Sequence, residues 1–165
     1  MKTKDLKIGI FDSGLGGLTV LKSLYAKAPE LQYYYLGDTA RVPYGTKSPK
    51  ILRKYIQENI DFLMTQKVDA IVVACNSASS VLDETITSPV PIFDVIRPSA
   101  KAAVQSSLDK RIGVIATRTT VQQQSYIHAI HELQPNIEIF QQACPLLVPL
   151  VEEAWLDDPL TNLVL

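Results

Sequence analysis

Short apolar runs alternate with amphipathic stretches along the whole chain, and the change of period separates strands from helices. Residues 6–11 read as a first strand and 17–27 as the helix that follows. Residues 31–36 predict a second strand, and 49–66 a long amphipathic helix opening on Pro49, at a position where a missing N–H is tolerated. Residues 69–74 are mostly apolar and β-branched, the pattern of a strand covered on both faces. A helix is expected over 77–86 and a short strand over 90–93, behind Pro89 and Pro91. The cycle then restarts with a helix over 99–108, a strand over 111–116 and a helix over 120–133. A strand over 136–141 and a helix over 148–155 complete it.

This alternation predicts an α/β protein, a parallel sheet covered by helices. The restart places a boundary within 94–98, giving a flavodoxin-like first lobe over residues 1–96 and part of a second, related lobe over 97–165. A length of 165 residues suits one ordinary domain, or one full unit and part of another. With 47% apolar and 20% charged residues the chain is globular rather than disordered. Its formal net charge of −1 offers no electrostatic case for nucleic acid or for a membrane surface. No run has the length of a bilayer span or the apolar core of a signal peptide, so a cytoplasmic location is expected. Two cysteines, Cys75 and Cys144, stand far apart in unlike contexts, which argues against a disulfide framework and a thiolate zinc site. A reducing compartment suits a free thiol.

In an open parallel sheet, chemistry gathers on the loops that follow the strands. After the first strand comes Asp12-Ser13-Gly14-Leu15-Gly16-Gly17, whose glycines permit positive φ and leave N–H groups open to an anion. After the second comes Gly37-Asp38-Thr39-Ala40-Arg41-Val42-Pro43-Tyr44-Gly45, a long loop mixing a charge pair, a proline, an aromatic and a glycine. After the third comes Cys75-Asn76-Ser77, a thiol at a strand end beside a helix start, where the helix dipole is expected to lower its pKa. Each has a plainer explanation. A small Cys in a buried strand usually packs. The glycines could form a simple turn, Asp12 a cap, Tyr44 a packing contact with a helix, and Arg41 a partner for Asp38. The convergence of all three loops on one sheet edge is what favours a site. His128 and His131, three apart on a helix, have no further ligand in sequence and read as ordinary histidines. Cys144, before Pro145-Leu146-Leu147-Val148-Pro149, reads as packing.

These loops resemble those of the glutamate racemases, cofactor-independent members of the aspartate/glutamate racemase superfamily. The matching segments are Ile10 to Val20, Gly37 to Gly45 and Ala74 to Ser79, with a weaker match from Cys144 to Glu152. The family more often has Thr where Ser77 stands, and the hydroxyl is kept. The resemblance implies interconversion of L- and D-glutamate by two cysteines flanking Cα, one thiolate and one thiol. It makes Cys75 one of the pair, and has Asp12 and Ser13 bind substrate and tune the thiol. It has Tyr44-Gly45 and Asn76-Ser77 supply hydrogen bonds to the substrate's carboxylate and amino groups. It implies no pyridoxal phosphate, no metal and no other cofactor, a role in supplying D-glutamate for peptidoglycan, and room for a homodimer.

One departure stands out. The family carries its second catalytic cysteine in a Gly-Cys-Thr-His motif beyond the Cys-Pro-Leu segment, and these 165 residues contain none. Cys144 matches the earlier segment. The expectation is therefore a C-terminally truncated racemase whose first lobe lacks its C-terminal return segment, with half of the site present and little turnover alone. Two other readings compete. Gly14-Leu15-Gly16-Gly17-Leu18-Thr19, followed by Asp38, approximates a dinucleotide-binding fingerprint, although Thr19 replaces the third glycine and Asp12 would repel a pyrophosphate. The third reading is a non-catalytic lobe that binds a ligand or partner.

Overall fold

The computed structural model describes residues 6–155 and 157–164. Its first half is a four-stranded parallel sheet built from β1 (Lys7–Asp12), β2 (Gln32–Gly37), β3 (Ala70–Val73) and β4 (Ile92–Asp94), in the order β2-β1-β3-β4. Each crossover carries a helix or a turn on the sheet, as parallel pairing requires: α1 (Leu18–Lys27), α2 (Pro49–Thr65) and the single turn α3 (Asn76–Ser79). The order is that of the doubly wound flavodoxin type, which puts the functional edge at the strand ends near β1 and β3. Register pairs Ile8 with Tyr33 on one side and with Ala70 on the other.

The second half follows α4 (Ile96–Ser106) and contains β5 (Arg111–Ala116), α5 (Arg118–Gln122), α6 (Ser125–Leu133), β6 (Glu138–Ala143), α7 (Leu147–Glu152) and α8 (Pro159–Val164). Here β5 and β6 form a separate two-stranded parallel sheet, with Ile112 opposite Ile139. Asp94 links the halves: it ends β4 and its carboxylate accepts from the N–H groups of Ile96 (2.8 Å) and Arg97 (2.9 Å), capping α4.

The main core lies between the first sheet and α2. Phe11, Ile71 and Val73 meet Leu52, Ile56, Ile60 and Leu63, all essentially inaccessible to water. The apolar stripe of α2 thus forms one wall of this core. Its start is set by Ser48, whose hydroxyl accepts from Ile51 N–H, and by Pro49 behind it. A smaller core around Ala100, Ile112, Ile130 and Ile137 holds the second half.

The helices expected over 99–108 and 148–155 are shifted, to Ile96–Ser106 and Leu147–Glu152, and two others differ more. The helix expected over 77–86 ends at Ser79. Ser79 and Ser80 donate their hydroxyls to the carbonyls of Val73 and Ser77, and Asp83 accepts from Thr85 N–H, so side chains take over backbone partners. The helix expected over 120–133 is broken between α5 and α6, where Gln124 adopts φ of 53°. The final helix α8 was not anticipated. Among the described residues no helix is long and apolar enough to cross a membrane.

Candidate active site

The strand ends of β1, β3 and β5, the turn at Tyr44–Thr46 and helix α7 enclose a cleft of about 410 Å³. Asp12, Ser13, Tyr44, Gly45, Asn76 and Ser77 all line it, with Cys75 among them. All seven candidates from the sequence therefore meet at one place, although they come from three separate loops.

The Asp12 carboxylate turns back on its own loop. Its Oδ2 accepts from the N–H of Gly14 (3.1 Å) and of Gly17 (3.0 Å). This corrects two expectations. Those amides are taken by Asp12 rather than left open for an anion, and among the described residues no glycine has a positive φ. The glycines serve close approach instead: a Cβ on Gly17 would lie 2.6 Å from that of Asp12 and 3.0 Å from that of Ala74.

Cys75 is buried, with its sulfur 3.5 Å from the Ser13 hydroxyl. Burial, and then the neighbouring Asp12 carboxylate, push its thiol up to about 11, while the Ser13 hydroxyl and the N–H groups of Ala78 and Ser13 pull the other way. The expected lowering by a helix dipole is overturned, because α3 is a single turn and cannot offset the loss of water. Cys75 is thus a thiol at neutral pH in the unliganded protein. Its alkylation by iodoacetamide, followed by mass spectrometry, is expected to accelerate roughly tenfold per pH unit until the pH nears about 11. A plateau already at neutral pH would contradict this assignment.

The Tyr44–Thr46 turn is held from beneath. Tyr44 is buried, its ring packs on Tyr55 of α2, and its hydroxyl donates to Asp38 while accepting from Asn59 Nδ2 at 3.0 Å. Arg41 donates from Nε to the same Asp38 oxygen (2.7 Å) and from Nη2 to Asn59 Oδ1 (3.1 Å). The Tyr44 phenol is thereby committed to the interior. What the turn offers the cleft is its backbone, whose first N–H groups have no partner within the turn.

The second half closes the cleft from the other side. Ser77 Oγ lies 2.8 Å from Thr117 Oγ1, which is 3.0 Å from Thr120 Oγ1. Thr119 donates to the carbonyls of Gly45 (3.0 Å) and Lys47 (3.1 Å), pinning the Tyr44 turn to α5. Asn76 Oδ1 accepts from the Tyr126 hydroxyl at 2.7 Å, leaving its amide N–H₂ for other partners. From α7, Glu152 lines the cleft and accepts weakly from Leu15 N–H at 3.4 Å.

The Asp/Glu/Hydantoin racemase family model matches residues 17–154. This chain belongs to that family. A curated glutamate racemase of Sulfurihydrogenibium is 48% identical over 161 residues, covering 96% of this chain and 62% of that protein. One from Syntrophus aciditrophicus is 47% identical over 158 residues, covering 94% and 58%. The structure is similar to glutamate racemase of Francisella tularensis, solved with D-glutamate, with a TM-score of 0.88 and 36% identity over 98% of this chain and 61% of that one. It is also similar to the Thermus thermophilus enzyme in complex with β-chloro-D-alanine, with a TM-score of 0.83 and 44% identity over 99% and 61%. The chain spans about three fifths of the length of the relatives it matches.

Within this racemase-family chain, Thr117, Thr119 and Glu152 are site neighbours that the sequence reading missed. Thr117 had a usable signal, since it directly follows β5 and obeys the same strand-end rule as Asp12 and Cys75. Glu152 had none, because only the path of α7 brings it to the first loop. Cys144 lines a neighbouring apolar cleft with Ile112 and Val114 rather than the one holding Cys75. The His131 ring lies 3.1 Å from the Ile137 carbonyl, consistent with an ordinary structural histidine.

Proposed function

We propose that this chain carries one half of a glutamate-racemising site, with Cys75 as the acid/base on one face of the substrate. The observation that carries the reading is a single buried thiol set among hydroxyls and backbone N–H groups in a cleft at the strand ends of a racemase-family chain. The Ser13, Ser77 and Thr117 hydroxyls, the Asn76 amide and the Gly45 backbone suit a substrate with two carboxylates. Asp12 and Glu152 suit its ammonium group. That ammonium, brought near the sulfur, would favour the thiolate and offset the burial that keeps Cys75 protonated.

The thiolate would take the α-proton of one enantiomer, leaving the electron pair on Cα, and a second acid would return a proton to the opposite face. In reverse, the Cys75 thiol would give its proton. The cleft itself presents one thiol, so the second acid is assigned to a group outside it. The chemistry as drawn calls on no cofactor, and its D-glutamate would serve peptidoglycan synthesis in the cytoplasm. A dinucleotide reading is disfavoured, since Asp12 occupies the N–H groups a pyrophosphate would need.

The test is proton exchange. The protein is incubated in D₂O with L- or D-glutamate, and loss of the Cα–H signal is followed by NMR. Exchange of one enantiomer faster than net racemisation is expected. No exchange with either enantiomer at saturating glutamate would sink the reading, and racemisation as fast as exchange would remove the need for a second acid elsewhere.

A further inference from the structure

The two halves have separate cores. Among the described residues, one core is built from side chains between Phe11 and Ile92 and the other from side chains between Ala100 and Ile139, with no member in common. Apolar packing is non-directional, so the way the halves meet depends on directed contacts. Around the cleft these include hydrogen bonds from hydroxyls of α5 and α6 to the first half. Ser125 Oγ donates to the Ser80 carbonyl at 3.3 Å, and Tyr126 Oη to Asn76 Oδ1 at 2.7 Å. Thr119 is different in kind. It is 3% exposed, and its one proton is shared between the carbonyls of Gly45 and Lys47, 3.0 and 3.1 Å away. It therefore grips the main chain of the turn from two points. Beside it, a Cβ on Gly45 would lie 2.5 Å from that of Thr117, so the turn sits directly on the start of α5. The Tyr44 phenol ties the same turn to Asp38 and Asn59, and Lys47 N–H closes it onto the Tyr44 carbonyl at 2.9 Å.

We propose that Thr119 is a positioning residue: its hydroxyl holds the Gly45 turn against α5 and so fixes where the turn's backbone N–H groups stand in the cleft. Its effect on the substrate rests on the reading of the Gly45 backbone as a glutamate contact. Thr119 does not itself line the cleft, so it acts through Gly45, which does. A hydrogen bond weakens steeply as it departs from its preferred angle. A turn that loosens therefore loses affinity for a bound carboxylate although no contacting atom has been removed. The Tyr44 anchor does not replace this hold. It fixes the first residue of the turn, whereas Thr119 fixes the second and the residue just past its end.

Thr119→Val removes the donor and keeps the shape, whereas Thr119→Ser keeps the donor and removes the methyl. In the free protein, exchange of the Lys47 amide in D₂O, followed by NMR, is expected to accelerate about tenfold in Thr119→Val and to stay within about twofold in Thr119→Ser. By calorimetry, the Kd for glutamate should rise about tenfold in Thr119→Val and change by less than about twofold in Thr119→Ser. Thr119→Ala, with neither donor nor methyl, is expected to follow Thr119→Val, so the result does not hang on one folded variant. Ser125→Ala removes a hydrogen bond between the halves away from the turn and should leave both readings unchanged. Thermal melts check that each variant is folded. The proposal is overturned if the donor-free variants protect the Lys47 amide as the wild type does, or loosen the turn without weakening glutamate. It is equally overturned if Thr119→Ser is as impaired as Thr119→Val, or if Ser125→Ala matches them. Failure of the wild-type chain to bind glutamate would sink the reading of the site instead, and Lys47 exchange alone would then decide whether Thr119 holds the turn.

Discussion

Cys75→Ser is expected to reduce exchange of the glutamate α-proton by about 10²–10⁴-fold, the usual share of a positioned acid/base. Cys144→Ser is expected to leave it within about twofold, because that sulfur lines a different cleft. The contrast is specific because both are conservative changes of the same atom. Serine keeps the size of the Cys75 side chain and its contact with Ser13, so the fold and the glutamate affinity should persist while proton transfer fails. NMR exchange rates, with binding measured separately by calorimetry, check both arms. Equal losses in the two variants would show that neither sulfur is the base.

The same thiol ties stability to pH. Its folded pKa, raised to about 11 from the ordinary 9.0, favours the folded state while the thiol is protonated. That contribution is complete below pH 9.0 and is lost as the pH rises through about 11. Cys75→Ser should abolish this alkaline component, since a serine hydroxyl does not titrate there.

Asp38→Ala is expected to destabilise the protein by about 3 kcal/mol, the low end for a buried ion pair, because the carboxylate is buried while Arg41 is partly exposed. The melting temperature should fall by roughly 6–12 °C for a chain of this size. Asp38 is 8% exposed and accepts from both the Tyr44 hydroxyl and Arg41 Nε. Its loss strands a buried phenol proton and leaves Arg41 with Glu58 and Asn59 alone. Tyr44→Phe removes the donor but keeps the ion pair, so it should cost only about 1 kcal/mol. Thermal unfolding of the two variants separates the cases. If Asp38→Ala costs no more than Tyr44→Phe, the pair contributes nothing beyond the phenol's hydrogen bond.

The local code was clear wherever period and burial agree. The strand over 111–116 and the long helix opening at Pro49 match the structure within a residue at the ends that matter, because an apolar stripe or run leaves one satisfactory way to bury itself. The failures have local causes. Ser79 and Ser80 turned their hydroxyls onto the backbone and stopped α3. Gln124 took a left-handed conformation that no residue type announces. In the site, seven residues were legible because strand ends in parallel sheets converge. Thr119 and Glu152 were not, since their contacts with Gly45 and Leu15 span long separations in sequence.

The sequence by itself determined the parallel α/β architecture, the three loops and the thiol at a strand end, because those follow from side-chain period and from residue types that suit turns. Only the tertiary structure decided the protonation of Cys75, the commitment of the Tyr44 phenol to Asp38 and Asn59, and the use of Asp12 Oδ2 by its own loop. Each of these depends on how much water and which charges remain around a group after packing, and that is set by segments distant along the chain.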